Sequence, residues 1–276
     1  MYRLIRILSL DIVAGVASSA VLACKLLGVA PPPIYFMLLP LSVWILYLAD
    51  HLADGIRQAN RQQASRYQFY YLHRKAFTFL LTIVALVGIL LLVRFYDKTI
   101  FLFGGSVSLL IVLYFAGQQL RFKRLISAFP KELLIALGYS WGIWGVPVLL
   151  SHHPGGELQL LGMCSFLLIV LMNVLIYSLY EEHGDRVYGY SSLAIKMGQL
   201  RLTKLITVLA GFNFAADAMI LLFARENMWM AAGTLFMLMG LTLVAIARNP
   251  QLFAKHSLYG IIADALFLLP AFVWFT

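Results

Sequence analysis

The sequence predicts an all-α membrane protein, a bundle of nine transmembrane helices with its N-terminus in the cytoplasm. Hydrophobic residues make up 62% of the 276 residues and charged residues only 12%, whereas a soluble domain carries roughly twice that charged fraction. Apolar runs of about 20 residues, the length that crosses a bilayer, recur along the whole chain. We therefore expect a single domain, residues 1–276, that is a multi-pass protein of the cell (inner) membrane.

Short polar connections separate the nine spans. The triplet Pro31-Pro32-Pro33 marks the turn after the first span, because prolines punctuate helices. The connection at residues 55–74 is the longest and is too short to form a soluble domain. Charged or turn-forming residues mark the later boundaries, in chain order Arg94 and Lys98, Arg121 to Lys131, His153 to Gly156, Glu181 to Arg186, Arg225, and Arg248 to Lys255. The predicted spans are residues 7–28, 33–54, 75–95, 99–119, 129–151, 158–181, 201–224, 228–247 and 256–276.

The distribution of basic residues predicts the orientation. Most of the 21 Lys and Arg precede the first span or follow an even-numbered one. Cytoplasmic loops carry such an excess, so these connections are predicted to be cytoplasmic. The same bias explains the net charge of +9 and favours contact with anionic membrane lipids. Nucleic-acid binding is not expected, because no basic domain lies outside the membrane. The few basic residues assigned to the other side are Lys25, Arg94, Lys98 and Arg225.

Two short acid clusters are the main candidates for chemistry. The chain has only 12 Asp and Glu, yet Asp50 and Asp54 end the second span, and Glu181, Glu182 and Asp185 end the sixth. Acids beside a hydrocarbon phase are costly and are functional candidates by default. Both clusters fall on the predicted cytoplasmic side, which indicates a shared task.

The spacing within each cluster suggests a metal ion. Asp50 and Asp54 are four residues apart, and so are Glu181 and Asp185, so each pair lies on one helix face. Like charges at this spacing destabilise a helix unless a cation lies between them. Hard carboxylate oxygens favour Mg²⁺, which also takes water and substrate phosphate oxygens. The sequence thus predicts a magnesium site facing a diphosphate, although helix-end acids solvated at the interface are the structural alternative.

Two motifs resemble those of the UbiA superfamily of intramembrane prenyltransferases. The segment Leu46 to Asp54 matches the last two acids of the first family motif, N-D-x-x-D-x-x-x-D, with Leu46 and Tyr47 in place of its Asn and first Asp. The segment Glu181 to Gly198 follows the second motif, with Glu181 in place of an Asp. Tyr114, Lys123-Arg124 and Pro130 are also similar to a family stretch.

The resemblance implies a nine-helix fold and a reaction. Mg²⁺ held by Asp50, Asp54, Glu181 and Asp185, with Glu182 as a further ligand, would bind an isoprenyl diphosphate. Ionisation of that diphosphate would then prenylate a small aromatic or lipid acceptor. Nearby basic residues would complete the diphosphate clamp, and polar or aromatic residues of the spans would line the substrate cavity. The candidates for the clamp are Arg57, Arg66, Lys123 and Arg186, and those for the cavity are Tyr47, Tyr139, Asn173 and Tyr177.

Two other functions remain open. The incomplete first motif is compatible with a terpene cyclase on the same scaffold, or with a non-catalytic isoprenoid- or lipid-binding protein. Asp11 could approach the site from the first span, whereas Asp217 and Asp264 are expected to make helix-packing hydrogen bonds away from the clusters. A transporter is disfavoured, because transporters place such groups near the midplane.

Overall fold

Helices account for the secondary structure of the chain. The computed structural model describes residues 2–57, 65–119, 130–151, 156–188 and 192–275, and these residues form no strand. Two 3-10 segments, Lys255–Ser257 and Leu266–Phe275, precede and follow the last α-helix. The α-helices are α1 (Tyr2–Ile7), α2 (Leu10–Leu26), α3 (Pro33–Arg57), α4 (Ser65–Leu72), α5 (Arg74–Arg94), α6 (Lys98–Gln119), α7 (Lys131–Leu150), α8 (Glu157–Tyr180), α9 (Glu182–Tyr188), α10 (Leu193–Met197), α11 (Gln199–Phe223), α12 (Asn227–Arg248), α13 (Pro250–Phe253) and α14 (Leu258–Ala265).

The long helices confirm an all-α chain of membrane-spanning character. Seven helical stretches within the described residues are long and apolar enough to cross a bilayer. The predicted first span corresponds to α2, which has 17 residues, and the fourth corresponds to α6, whose described apolar part is Lys98–Leu109. These two predicted spans are the ones missing from the seven, because α2 is short and the side chains of α6 are described only to residue 109. The seven stretches are Pro33–Ile56, Arg74–Arg94, Lys131–Leu150, Glu157–Tyr180, Gln199–Phe223, Asn227–Arg248 and Lys255–Val273.

The helices pack mainly against their neighbours in the chain. Helix α2 contacts α3, α3 contacts α5, and α7 contacts both α6 and α8. Helices α8, α11 and α12 pack against one another, and the final 3-10 segment contacts both α12 and α2. The last helical segment therefore returns to α2. Aromatic rings fill the centre, where Phe166 of α8 lies about 6 Å from the rings of Trp144, Phe236 and Phe267.

One end of the bundle collects the polar contacts, and we call it the polar end. It is the end where α3, α8 and α12 finish and where α2, α7 and α14 begin. The Trp44 indole of α3 donates to the Leu8 carbonyl at 2.9 Å, and the Tyr180 hydroxyl donates to the Ile246 carbonyl at 2.7 Å. Lys131, the first residue of α7, lies 3.9 Å from Asp185. The polar end thus gathers segments from the whole chain.

Candidate functional site

The first acid cluster occupies the last two turns of α3. Asp50 is exposed and Asp54 is half-buried, whereas His51 between them is buried. The His51 ring lies 5.9 Å from the Tyr47 ring and 5.3 Å from the Tyr70 ring, measured between centroids. Since Tyr70 belongs to α4, the packing of α4 covers the histidine face of α3.

The second acid cluster spans the junction of α8 and α9. The Asp185 amide donates to the Glu181 carbonyl at 2.9 Å, so the helical turn between them persists. Glu182 pairs with Arg186 at 2.6 Å, and Asp185 lies 3.9 Å from the Lys131 ammonium. Glu181 accepts a hydrogen bond from the Tyr259 hydroxyl at 3.3 Å. Of the predicted clamp, Arg186 therefore pairs with an acid of its own cluster.

Helix α7 also anchors the segment that follows this cluster. Glu132 is only 2% exposed, and its carboxylate accepts the Leu193 amide at 2.8 Å. The Ser178 hydroxyl accepts the next amide, that of Ala194, at 3.1 Å. These side chains satisfy N–H groups that the start of α10 leaves without partners. Lys131 contacts Asp185 and the adjacent Glu132 contacts Leu193, so the start of α7 binds the residues on either side of segment 186–192.

The N-terminal segment connects the two acid clusters. The Tyr70 hydroxyl, next to His51, donates to the Ile7 carbonyl at 2.6 Å. The neighbouring Arg6 guanidinium lies 3.6 Å from the Asp264 carboxylate of α14. Tyr259, one turn before Asp264, contacts Glu181. Both acid clusters therefore lie at the polar end, within one series of contacts.

A second polar group lies behind the second acid cluster. We call it the polar core, and it consists of Arg6, Asp11, Asn173, Tyr177 and Asp264. The Tyr177 hydroxyl donates a short hydrogen bond to Asp264, and Asn173 lies one helical turn before Tyr177 on α8. Arg6 lies 3.8 Å from Asp11 as well as 3.6 Å from Asp264. One guanidinium therefore serves two carboxyl groups.

Gly260 makes room for this arrangement. A Cβ at this position would lie 2.7 Å from the Arg6 guanidinium and 2.9 Å from the Tyr177 hydroxyl oxygen. Both distances are shorter than van der Waals contact, so a larger residue would separate the two partners of Asp264. The Tyr177 hydroxyl also lies 3.4 Å from the Gly260 carbonyl oxygen.

Two of the four predicted cavity residues, Asn173 and Tyr177, belong to the polar core. Tyr47 of α3 lies beside His51, with 5.9 Å between the ring centroids. Tyr139 of α7 packs in the aromatic centre, with its ring 6.4 Å from that of Phe166 and 5.7 Å from that of Phe267.

Three predicted clamp residues cannot be placed against the acids. Lys123 lies outside the described residues, and so do the side chains of Arg57 and Arg66. The backbone of Arg57 forms the last residue of α3, and that of Arg66 is in the first turn of α4. Their predicted role in binding diphosphate stays a prediction.

The described residues offer carboxylate pairs and no larger metal-binding group. No three His, Cys, Asp or Glu side chains among them lie close enough to hold a metal ion. Each cluster nevertheless keeps two acids one helical turn apart, on α3 and across the junction of α8 and α9. Mg²⁺ typically binds through one or two carboxylates, with water and phosphate oxygens completing its octahedron. The donor set fits a magnesium ion that binds together with substrate.

Sequence reasoning missed several partners of the site. It predicted a helix-packing hydrogen bond for Asp264, which the structure shows with Tyr177, but it did not predict that Arg6 lies beside this carboxylate. It treated Arg6 and Lys131 only as topogenic charges and gave Glu132 no role. Two features of the sequence could have identified these partners. Asp264 is an acid inside an apolar run, and Glu132 is an acid at the beginning of another apolar run.

Asp217 behaves as predicted, as a helix-packing residue. It is fully buried on α11 and accepts the Ser165 hydroxyl of α8 at 2.6 Å. Asn213 in turn donates to the Ser165 hydroxyl at 2.8 Å. This small network ties α8 to α11 away from the polar end.

The chain was compared with known proteins by sequence and by structure. No family model matches it, and neither the curated proteins nor the solved structures gave a match.

Proposed function

We propose that this protein is an integral membrane prenyltransferase that ionises an isoprenyl diphosphate at the polar end and transfers the prenyl group to an acceptor. The observation that carries the proposal is the convergence of the two acid clusters on one end of an apolar bundle, next to a group of tyrosines. The similarity of both clusters to UbiA-superfamily motifs supports it. In this proposal the protein lies in the cell (inner) membrane, with the polar end and the N-terminus facing the cytoplasm, because basic residues concentrate there.

The carboxylates would bind the substrate's headgroup. Asp50 and Asp54 on α3 and Glu181 and Asp185 at the end of α8 would hold Mg²⁺ together with the diphosphate, with Glu182 available as a further ligand. The metal would supply Lewis-acid stabilisation of the leaving diphosphate. Lys131 lies 3.9 Å from Asp185, and it would orient that carboxylate while adding positive charge near the phosphate.

The rest of the bundle would hold the prenyl tail and exclude water. The long helices expose many apolar side chains, so an isoprenoid chain would lie against the bundle. Tyr47, Tyr139 and Tyr177 would present π-faces or hydroxyls to the developing allylic cation, an interaction that is strengthened by desolvation. Arg57, Arg66, Lys123 and Arg186 are proposed to contact the diphosphate.

Diphosphate release by the purified protein tests the proposal. The protein in lipid nanodiscs is incubated with Mg²⁺ and labelled farnesyl or geranylgeranyl diphosphate, with and without aromatic acceptors. Asp54→Asn and Asp185→Asn should each lower release by about a hundredfold or more, because metal-assisted charge stabilisation contributes several kcal/mol. Glu157→Gln is the matched control, since Glu157 is an exposed acid at the opposite end of α8.

The products separate the three candidate functions. Release that requires an acceptor supports transfer, whereas release with a cyclic product and no acceptor supports a terpene cyclase. Saturable diphosphate binding without turnover supports a binding protein. Release that is absent, or that is equal in wild type, Asp54→Asn and Asp185→Asn, would overturn the enzymatic proposal.

A further inference from the structure

We propose that the polar core is the acceptor subsite, and that it selects an acceptor whose polar group is uncharged or cationic and carries O–H or N–H donors. A phenol or an amine would fit, whereas a ring carboxylate would not. The inference rests on the proposed function, because it names the acceptor class of that site. Four features of the polar core support it: its charge, a hydrogen-bond acceptor without a donor, one edge that is accessible to solvent, and strained backbone on both flanks.

The charge of the polar core disfavours an anion. Arg6 is its one cation, and it lies within 4 Å of both Asp11 and Asp264. With both carboxyl groups ionised the group carries one net negative charge, and with one protonated it is neutral. The next acid along the contacts is Glu181, which Tyr259 joins to this region. A carboxylate ligand would therefore meet repulsion or no compensating charge.

The polar core also holds a hydrogen-bond acceptor with no donor. The Asn173 amide oxygen is buried and receives no hydrogen bond from any described residue. An unmet buried polar atom costs about 1–3 kcal/mol, so a native protein retains one where a ligand or water completes it. A ligand that donates a hydrogen bond would satisfy this oxygen, and a carboxylate would not.

A ligand can reach the group from one edge. The Asp264 side chain is 9% exposed, whereas Arg6 keeps 24% and Asp11 keeps 17% of its side-chain surface exposed. Arg6 and Asp11 come from the start of the chain, where the short helix α1 meets α2. The polar core is thus buried at Asp264 and open beside the N-terminal segment.

Strained backbone on both flanks points to function. Ser9, between Arg6 and Asp11, has a φ of 54°. His256 and Ser257, directly before the helix that carries Asp264, have φ values of 53° and 55°. These are the non-glycine residues with positive φ in the described chain. Left-handed conformations cost about 1–2 kcal/mol each for such residues, and strain of this kind clusters at functional sites.

The polar core is close enough to the second acid cluster to serve the same reaction. Tyr177 lies one helical turn before Glu181 on α8. The Tyr180 and Tyr259 rings stack at 4.3 Å beside it, and the Tyr259 hydroxyl reaches Glu181. An acceptor ring held by Asp264 would therefore lie near these tyrosine rings and beside the diphosphate-binding end.

Helix packing alone does not require this arrangement. The network of Ser165, Asn213 and Asp217 also joins helices through a buried aspartate, and one oxygen of Asp217 likewise has no partner among the described residues. That network nevertheless contains no cation and no residue with positive φ. It is fully buried, without an open edge. Asp217 is therefore a matched control for Asp264.

Binding of two related fluorescent probes, 2-naphthol and 2-naphthoate, tests the inference. Saturable binding to the protein in nanodiscs is measured without Mg²⁺ or diphosphate, with empty nanodiscs as the blank. Wild type should bind naphthol about tenfold or more tightly than naphthoate, the discrimination that one hydrogen bond to a charged acceptor gives. Asp264→Asn and Asn173→Leu should each reduce that preference several-fold, and Asp217→Asn should retain it.

The outcomes of the binding assay and of diphosphate release are independent. Equal or tighter binding of naphthoate, no saturable binding of either probe, or a preference that survives both Asp264→Asn and Asn173→Leu would each overturn the inference. If Asp264→Asn does not fold, Asn173→Leu and Tyr177→Phe decide. Naphthol binding that depends on Asn173 but occurs without any diphosphate release would support the donor-binding site and refute the prenyltransferase.

Discussion

Replacing Gly240 by alanine should destabilise the bundle, although alanine is the better helix former. Gly240 lies on α12, and a Cβ there would be 2.1 Å from the Asn213 amide oxygen and 3.2 Å from its Cγ. Asn213 is 1% exposed and its amide donates to Ser165, so it has no free space to move into. The added methyl must displace α12 or break this hydrogen bond.

The expected loss follows from three contributions. Overpacking a filled interior costs about 1–3 kcal/mol, and the lost hydrogen bond of Asn213 costs about 1 kcal/mol more. The higher helix propensity of alanine offsets about 1 kcal/mol of this loss in the free energy of unfolding. We therefore expect the free energy of unfolding to fall by about 1–3 kcal/mol.

Reversible unfolding in mixed SDS micelles, followed by circular dichroism, measures this change. Gly211→Ala is the matched control: it lies on α11, two residues from Asn213, and a Cβ there would meet nothing within 4 Å. That variant should be as stable as wild type or up to about 1 kcal/mol more stable. A Gly240→Ala protein as stable as Gly211→Ala would refute the packing of α8, α11 and α12 described above.

Three further predictions concern the polar end. Glu132→Ala should lower the free energy of unfolding by about 1–3 kcal/mol, because it leaves the Leu193 amide unpaired. Glu132→Gln keeps an acceptor and should lose less. Equal losses in the same unfolding assay would contradict the hydrogen bond between the Leu193 amide and Glu132. Ser9→Gly should raise stability by about 1 kcal/mol through relief of its left-handed conformation, and an unchanged midpoint of unfolding would show that the site is unstrained. Tyr70→Phe should cost about 1 kcal/mol and speed amide exchange in α1, measured by mass spectrometry; exchange as slow as in wild type would show that the bond to Ile7 does not hold this segment.

Helix periodicity was enough to predict the placement of the acid clusters. The apolar runs predicted the long helices, and the end of the second run placed Asp50 and Asp54 near the end of α3. The four-residue spacing within each pair predicted that its two acids lie one helical turn apart. These are local consequences of 3.6 residues per turn, which the sequence carries directly.

Contacts between distant segments could not be predicted in the same way. Asp264 meets Arg6 only because the last span packs beside the first, and a sequence gives no rule for which helices become neighbours. The capping of α10 by Glu132 likewise depends on the position of α7 beside α8. The 3-10 geometry of Leu266–Phe275 also departs from the regular helix that the apolar run predicts, and this segment contains Pro270, which lacks the amide hydrogen of a regular helix.

The pairing of the first and last spans has a consequence for biogenesis. The two run parallel: Arg6 lies beside Asp264, a Cβ on Gly15 would be 2.9 Å from Phe267, and the Ser18 hydroxyl donates to the Leu268 carbonyl across 250 residues of sequence. Until translation reaches residue 268, the small-residue face of α2 has no native partner in the bilayer. Helix α2 therefore completes its packing only after the last helical segment has been made. A chain stalled before α14 would expose that serine- and glycine-lined face to lipid or to membrane quality control.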